Sequence, residues 1–231
     1  MLKAGVHFGH QVSRWHPKMK PFIFTQRNGV HVINLEKTQE ILKGTLEDVK
    51  NLAKEGKVIL FISTKPQAHD LVKEAAIECD MPYLVDRWIG GLLTNFQEIR
   101  KLIRQYNTLK EQQKTGELEK YTKKEQLEIS KKLVKMDKSL IGLTTLDKMP
   151  DVLFVPALQR EKTAVTEARK TGVEVIGIVD TNANPDMADY IIPANDDAVN
   201  SIAMMVKLVS EAVKEGKSQI EKVIGTEEIK K

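Results

Sequence analysis

The chain carries one cysteine, Cys79, in 231 residues, so an intrachain disulfide and a cysteine-rich zinc finger are both excluded. Such usage suits a reducing compartment, and the cytoplasm is the expected location. Long apolar runs are missing as well. The longest stretch of Val, Ile, Leu and Phe is Val58 to Ile62, far short of the roughly 18 residues that suggest a membrane span. No apolar stretch fit for a secretory signal opens the chain, so no membrane partner is expected.

Phosphate-binding loops are also lacking. The apolar run Lys57 to Ser63 is followed by Thr64-Lys65-Pro66, without the glycines that let backbone N–H groups approach a pyrophosphate, and no G-x-x-x-x-G-K-[ST] occurs. Gly90-Gly91 is flanked by bulky apolar residues, which suits a close-packed turn better than a phosphate cradle. Neither G-x-S-x-G, H-E-x-x-H nor a kinase motif set is present. A nucleotide or sugar-phosphate enzyme needs a glycine-rich loop and a convergent acid–base pair. The sequence supplies neither, so no catalytic residue and no small-molecule substrate are expected.

What is present is charge, unevenly placed. The net charge is +4, yet residues 1–37 hold six Lys/Arg against one acid, and residues 97–138 hold twelve against seven. The remainder is acidic, with eighteen basic residues against twenty-four. Two basic lobes on an acidic body point to a polyanion gripped at two places.

Hydrophobic patterning gives the fold class. Phe22 to Phe24 and Val30 to Ile33 flank Asn28-Gly29, a dipeptide suited to a tight hairpin, so a small N-terminal β-hairpin is predicted. Helical spacing runs from Glu36 to Glu55 and stops at Gly56. Lys57 to Ser63 then reads as a doubly covered parallel strand, and Thr64 to Gln67 as a capping box opening a helix to about Cys79. Strand patterns recur at Pro82 to Val85, Val152 to Val155, Val173 to Val179 and Tyr190 to Ile192, with helices over Arg160 to Thr171 and Asp196 to Gly216. Such alternation predicts a flavodoxin-like or Rossmann-like α/β fold, a three-layer parallel sheet.

Residues 95–143 break that pattern. Phe96, Ile99, Ile103 and Tyr106, then Ile129, Leu133, Met136 and Leu140, form two narrow stripes after capping boxes at Thr94 to Glu98 and at Thr122 with Glu125. An inserted antiparallel coiled-coil α-hairpin is therefore predicted over 95–143, with the globular domain made from 1–94 and 144–231. Its basic sides, carrying Arg100, Lys101, Arg104, Lys131, Lys132 and Lys135, are candidate RNA contacts.

Arg14, Trp15, His16, Lys18, Lys20 and Arg27 interleave cations with an aromatic ring, a composition suited to phosphate contact and base stacking. Arg87 and Trp88 lie just past a strand, at the end where open α/β sheets place ligands; the alternative is that Arg87 simply pairs with Asp86 as a structural contact. His7 and His10 share a face if Leu2 to Gln11 is helical. Asp180 follows one strand, and Asp196 and Asp197 open the last helix, so all three approach one sheet edge. With His10 they form a candidate divalent metal site for zinc or magnesium, although no cofactor is required; acids after Asn195 also serve simply as helix caps.

Four long strings carry a resemblance: LKAGVHFGHQ (Leu2 to Gln11), RWHPKMKPFIFTQRNGVHVINL (Arg14 to Leu35), DRWIGGLLTNFQ (Asp86 to Gln97) and DTNANPDMADYIIPANDDAVNSI (Asp180 to Ile202). In order along nearly the whole chain, they resemble family two of the small-subunit ribosomal proteins, bacterial type. The resemblance implies a non-catalytic structural constituent of the small ribosomal subunit, lying on its solvent side between head and body. It also implies binding to small-subunit ribosomal RNA and contact with neighbouring small-subunit proteins, among them the messenger-binding ribosomal protein one. A free RNA-binding regulator is the alternative that subunit co-sedimentation would separate. Relatives of this type carry several residues before the first string, whereas Met1 abuts it here. A shortened first helical turn, part of the docking surface for protein one, is expected, together with a minimal tail after Ile224.

Overall fold

A computed structural model describes residues 1–228. Among the described residues, eight strands form two sheets and six α-helices accompany them. The first sheet is an antiparallel ribbon in which β3 (Val30–Ile33) lies between β1 (Phe8–Gln11) and β2 (Ile23–Arg27). Asn28 and Gly29 turn the chain between β2 and β3 with φ of 51° and 75°, the left-handed pair that a two-residue hairpin demands.

The second sheet is parallel, in the order β5 (Tyr83–Leu84), β4 (Ile59–Ile62), β6 (Val152–Val155), β7 (Glu174–Val179) and β8 (Tyr190–Pro193). Alternation along its strands separates two cores. Ile59, Phe61, Val152, Phe154, Ile176 and Ile178 face α1 (Leu35–Lys54), α2 (His69–Glu78) and α6 (Val199–Glu228). Leu60, Ile62, Leu153, Val155, Val175 and Val179 face α5 (Lys162–Thr171) and the near parts of α3 (Phe96–Thr115) and α4 (Lys123–Leu140). The result is a Rossmann-like three-layer α/β arrangement.

Local chemistry explains several details. Asn34 caps α1 by accepting from the N–H groups of Glu36 and Lys37, and the helix's two buried threonines reach the edge strand. Thr38 Oγ1 donates to the carbonyl of Pro193 at 2.7 Å and Thr45 Oγ1 to that of Ile191 at 3.0 Å, so α1 satisfies groups that β8 would otherwise expose. On α3 and α4, Ile99, Ile103, Tyr106, Leu133, Met136 and Leu140 are buried, and the Tyr106 hydroxyl and the Lys110 ammonium both donate to Asp137. Thr122 and Glu125 form the full capping box of α4.

Other expectations are corrected. Leu2 to Gln11 is a single 3-10 turn over Leu2–Ala4 followed by β1, so His7 and His10 share no helical face. The capping box at Thr64 does not form: Pro66–Ala68 is a 3-10 turn, and the Thr64 N–H donates to Glu161 across the sheet at 2.5 Å. Asn95 caps α3 without a side-chain hydrogen bond, and the Glu98 side chain, which would complete the box, pairs with Lys101 at 2.7 Å. The last helix starts at Val199, three residues beyond Asp196, because Asn195, Asp196 and Asp197 are engaged in the loop that precedes it.

Candidate functional site

The carboxyl ends of the parallel strands gather most of the chemistry. Thr181, after β7, organises one corner: its hydroxyl accepts the N–H of His10 at 2.8 Å, and its carbonyl accepts that of His16 at 2.7 Å. Gly9 makes this approach feasible, since a Cβ there would stand 2.6 Å from the Thr181 side chain. The first and last of the four sequence strings thus meet physically, across 171 positions of chain.

His10 then lies between two carboxylates, with Nδ1 3.2 Å from Asp180 and Nε2 3.1 Å from Asp197. One ligand atom each from His10, Asp180 and Asp196 falls within 4.8 Å of the others. Asp180 and Asp196 are buried, whereas Asp197 is exposed. Sequence reading missed the fifth member, Lys65. Its ammonium lies 2.9 Å from Asp196 and 2.6 Å from Asp197, and it also donates to the Asp196 carbonyl.

Electrostatics follow from this packing. The Asp180 carboxylate, working against burial, holds His10 above the ordinary histidine value. Burial, followed by the Asp180 charge, pushes Asp196 up despite Lys65. Burial opposes the charge on Lys65, yet its two carboxylates outweigh it and the pKa is raised. Asp197 is held below its usual value because Lys65 outweighs burial. In the loop before the last helix, Asn195 Oδ1 accepts from the N–H groups of Asp197 and Ala198. His10 Nδ1 is buried and faces Asp180 at 3.2 Å, although the geometry is not that of an aligned hydrogen bond.

A second construction surrounds Trp88. Glu167, buried on α5, accepts the Trp88 indole N–H at 3.0 Å, the Gly91 N–H at 2.9 Å and the Leu93 N–H at 3.2 Å. Burial would raise its pKa, but these donors overcome it and the carboxyl lies below the ordinary glutamate range. Nothing in the spacing of the sequence signals Glu167. Asp86 does not pair with Arg87; it meets His69 Nε2 at 3.3 Å.

The basic candidates fall into distinct groups. Arg14, Lys20 and Arg27 on the N-terminal ribbon segment, Arg87 beyond β5, and Arg104, Lys131, Lys132 and Lys135 on α3 and α4 are exposed and have no ion-pair partner among the described residues. Trp15 is half-buried against His31, with ring centroids 5.3 Å apart. His16 accepts the Lys18 N–H and caps a 3-10 turn. The Lys18 ammonium is spent on Asp186, Lys101 on Glu98, and Arg100 has a buried Nε.

The family model described as ribosomal protein S2 matches residues 1–216. The small ribosomal subunit protein uS2 of Coprothermobacter proteolyticus is 44% identical over 98% of this chain and 85% of its own length. Its counterpart in Helicobacter hepaticus is 47% identical over 95% of this chain and 83% of its own. That of Pseudoalteromonas atlantica is 46% identical, covering 95% and 90%. On sequence over nearly its full length, the chain belongs to the ribosomal protein S2 family.

Proposed function

We propose that the protein is a structural part of the small ribosomal subunit in the cytoplasm that binds small-subunit ribosomal RNA at two basic lobes and helps dock ribosomal protein one. The chain is not an enzyme, in keeping with its family. The observation that carries the RNA reading is the set of exposed, unpaired cations on two separate elements: Arg14, Lys20 and Arg27 near the ribbon, and Arg104, Lys131, Lys132 and Lys135 on the inserted helices, read as a coiled-coil hairpin over 95–143. If about eight phosphates are neutralised, affinity for the RNA falls by roughly 10³–10⁵ between ~50 and ~200 mM salt. A flat salt response contradicts the proposal.

Docking of protein one is supported by the ribbon's outer surface. Phe8 and Phe24 are 52% and 72% exposed and line an open hollow of about 620 Å³ with His7, Arg27, Val30 and Val32. Aromatic side chains left in water together favour a protein partner. At the other end of β1, His10, with Asp180 and Asp196 and with Asp197 alongside, would hold a divalent metal. A set that mixes imidazole with carboxylates suits zinc, whereas magnesium would prefer carboxylates and water. Metal there would fix the loop that carries β1, and Lys65 would share its carboxylates with the ion.

A further inference from the structure

The strand order β5-β4-β6-β7-β8 reverses direction between β4 and β6, because β4 leads to α2 on one face of the sheet and β6 to α5 on the other. A crevice opens at such a reversal, beyond the carboxyl ends of the strands. Here it is a cleft of about 540 Å³ lined by Thr64, Arg87, Trp88 and Arg160, with Asp86 and Glu161.

Two acids and two arginines line that cleft, and the acids are already hydrogen-bonded to other groups. Asp86 is turned to His69, and buried Glu161 accepts the Thr64 N–H at 2.5 Å, so both acids are engaged. Arg87 and Arg160 are exposed and have no acidic partner among the described residues. Trp88 is the third component. Its indole N–H is tied to Glu167 at 3.0 Å, which fixes the ring while leaving it part-exposed at the cleft wall. A fixed, part-exposed indole that also packs on the core, beside two exposed guanidinium groups, suits one unstacked nucleotide: the base would stack on the indole, and the flanking phosphates would pair with the forks of the arginines.

We infer that this cleft binds a single extruded nucleotide of an RNA strand, with Trp88 as the stacking platform and Arg87 and Arg160 as phosphate clamps. This rests on the RNA-binding reading above and adds a base-level site to backbone contacts made elsewhere. The cleft lacks a glycine-rich phosphate loop, so a free mononucleotide, offering one phosphate group and no neighbouring backbone, gains much less than a strand that places phosphates on both sides.

The test uses the full-length Trp15→Phe protein, in which Trp88 is the remaining tryptophan. Its emission is titrated with a single-stranded uridine hexanucleotide, with the same RNA in a duplex, and with uridine monophosphate. The expected result is saturable quenching by the single strand, roughly 10-fold to 100-fold weaker once Arg87→Ala and Arg160→Ala are combined, with thermal unfolding unchanged. Absence of quenching by the single strand, equal affinity for the duplex or the monophosphate, or indifference to the double arginine variant each overturns the inference. Salt-dependent binding of the same protein to small-subunit ribosomal RNA is measured alongside. If that persists while the cleft stays silent, only the cleft assignment fails; if it is absent, the broader reading fails.

Discussion

The carboxylate of Glu167 accepts the indole N–H of Trp88 at 3.0 Å, and with it the backbone N–H groups of Gly91 and Leu93. A single buried acid on α5 therefore holds the loop that follows β5, and the string Asp86 to Gln97 is shaped by a residue 70 positions beyond it. Removing the acid leaves several buried donors without an acceptor. Glu167→Ala is expected to cost about 2–4 kcal/mol, seen as a lower midpoint in urea unfolding, together with a red shift of Trp88 emission. Unchanged stability would show that water replaces the carboxylate.

The same residue gives stability a pH dependence. Its folded pKa lies below the unfolded value, so its contribution is fully present above the ordinary glutamate pKa and is lost as pH falls through the depressed folded value. Stability of the wild type should drop across the acid range below about pH 4.3. In Glu167→Gln that segment of the curve should be flatter, and parallel curves for the two proteins would rule the linkage out.

Gly9 permits contact between the first and last sequence strings. Gly9→Ala puts a methyl against Thr181 and the His31 carbonyl, which should destabilise the fold by about 1–3 kcal/mol through overpacking. The ribbon should loosen first, read as faster amide exchange at His10 and His16. Wild-type exchange at both positions would show that Thr181 yields without effect.

Metal content tests the His10, Asp180 and Asp196 corner. Elemental analysis of purified wild type should find near-stoichiometric zinc, lost when Asp196→Asn and Asp197→Asn are combined. Magnesium in place of zinc would favour a carboxylate and water shell. Equal content in both proteins, or none in either, leaves these acids as partners of Lys65 and His10 without a metal.

Much of the α/β body was legible because period-2 and period-3.6 patterns report directly on burial. Val152 to Val155 reads as a strand and is one, since both of its faces are covered. The site was half legible. Asp180, Asp196 and Asp197 converge because strand ends and helix starts share a sheet edge, a consequence of topology. Lys65 and Glu167 were not legible: each acts by reaching a group far away in sequence, and a lone lysine or glutamate in a surface-like helix pattern carries no mark of its partner. The condition under which His7 and His10 would share a helical face is not met, since the segment holds strand β1 and the His10 N–H is donated to Thr181.

The inserted helices present Lys131, Lys132 and Lys135 outward while Leu133 and Met136 are buried. Charge reversal of the three lysines should weaken incorporation into small subunits without lowering the unfolding temperature. Full incorporation of that variant would confine RNA contact to other elements.

The most direct test of the account is co-sedimentation of the tagged, full-length protein with ribosomal particles on a sucrose gradient. The protein should travel with the small subunit, remain there at moderate salt and be released as salt rises. A protein found at the top of the gradient at low salt, with small subunits present and intact, would contradict the account.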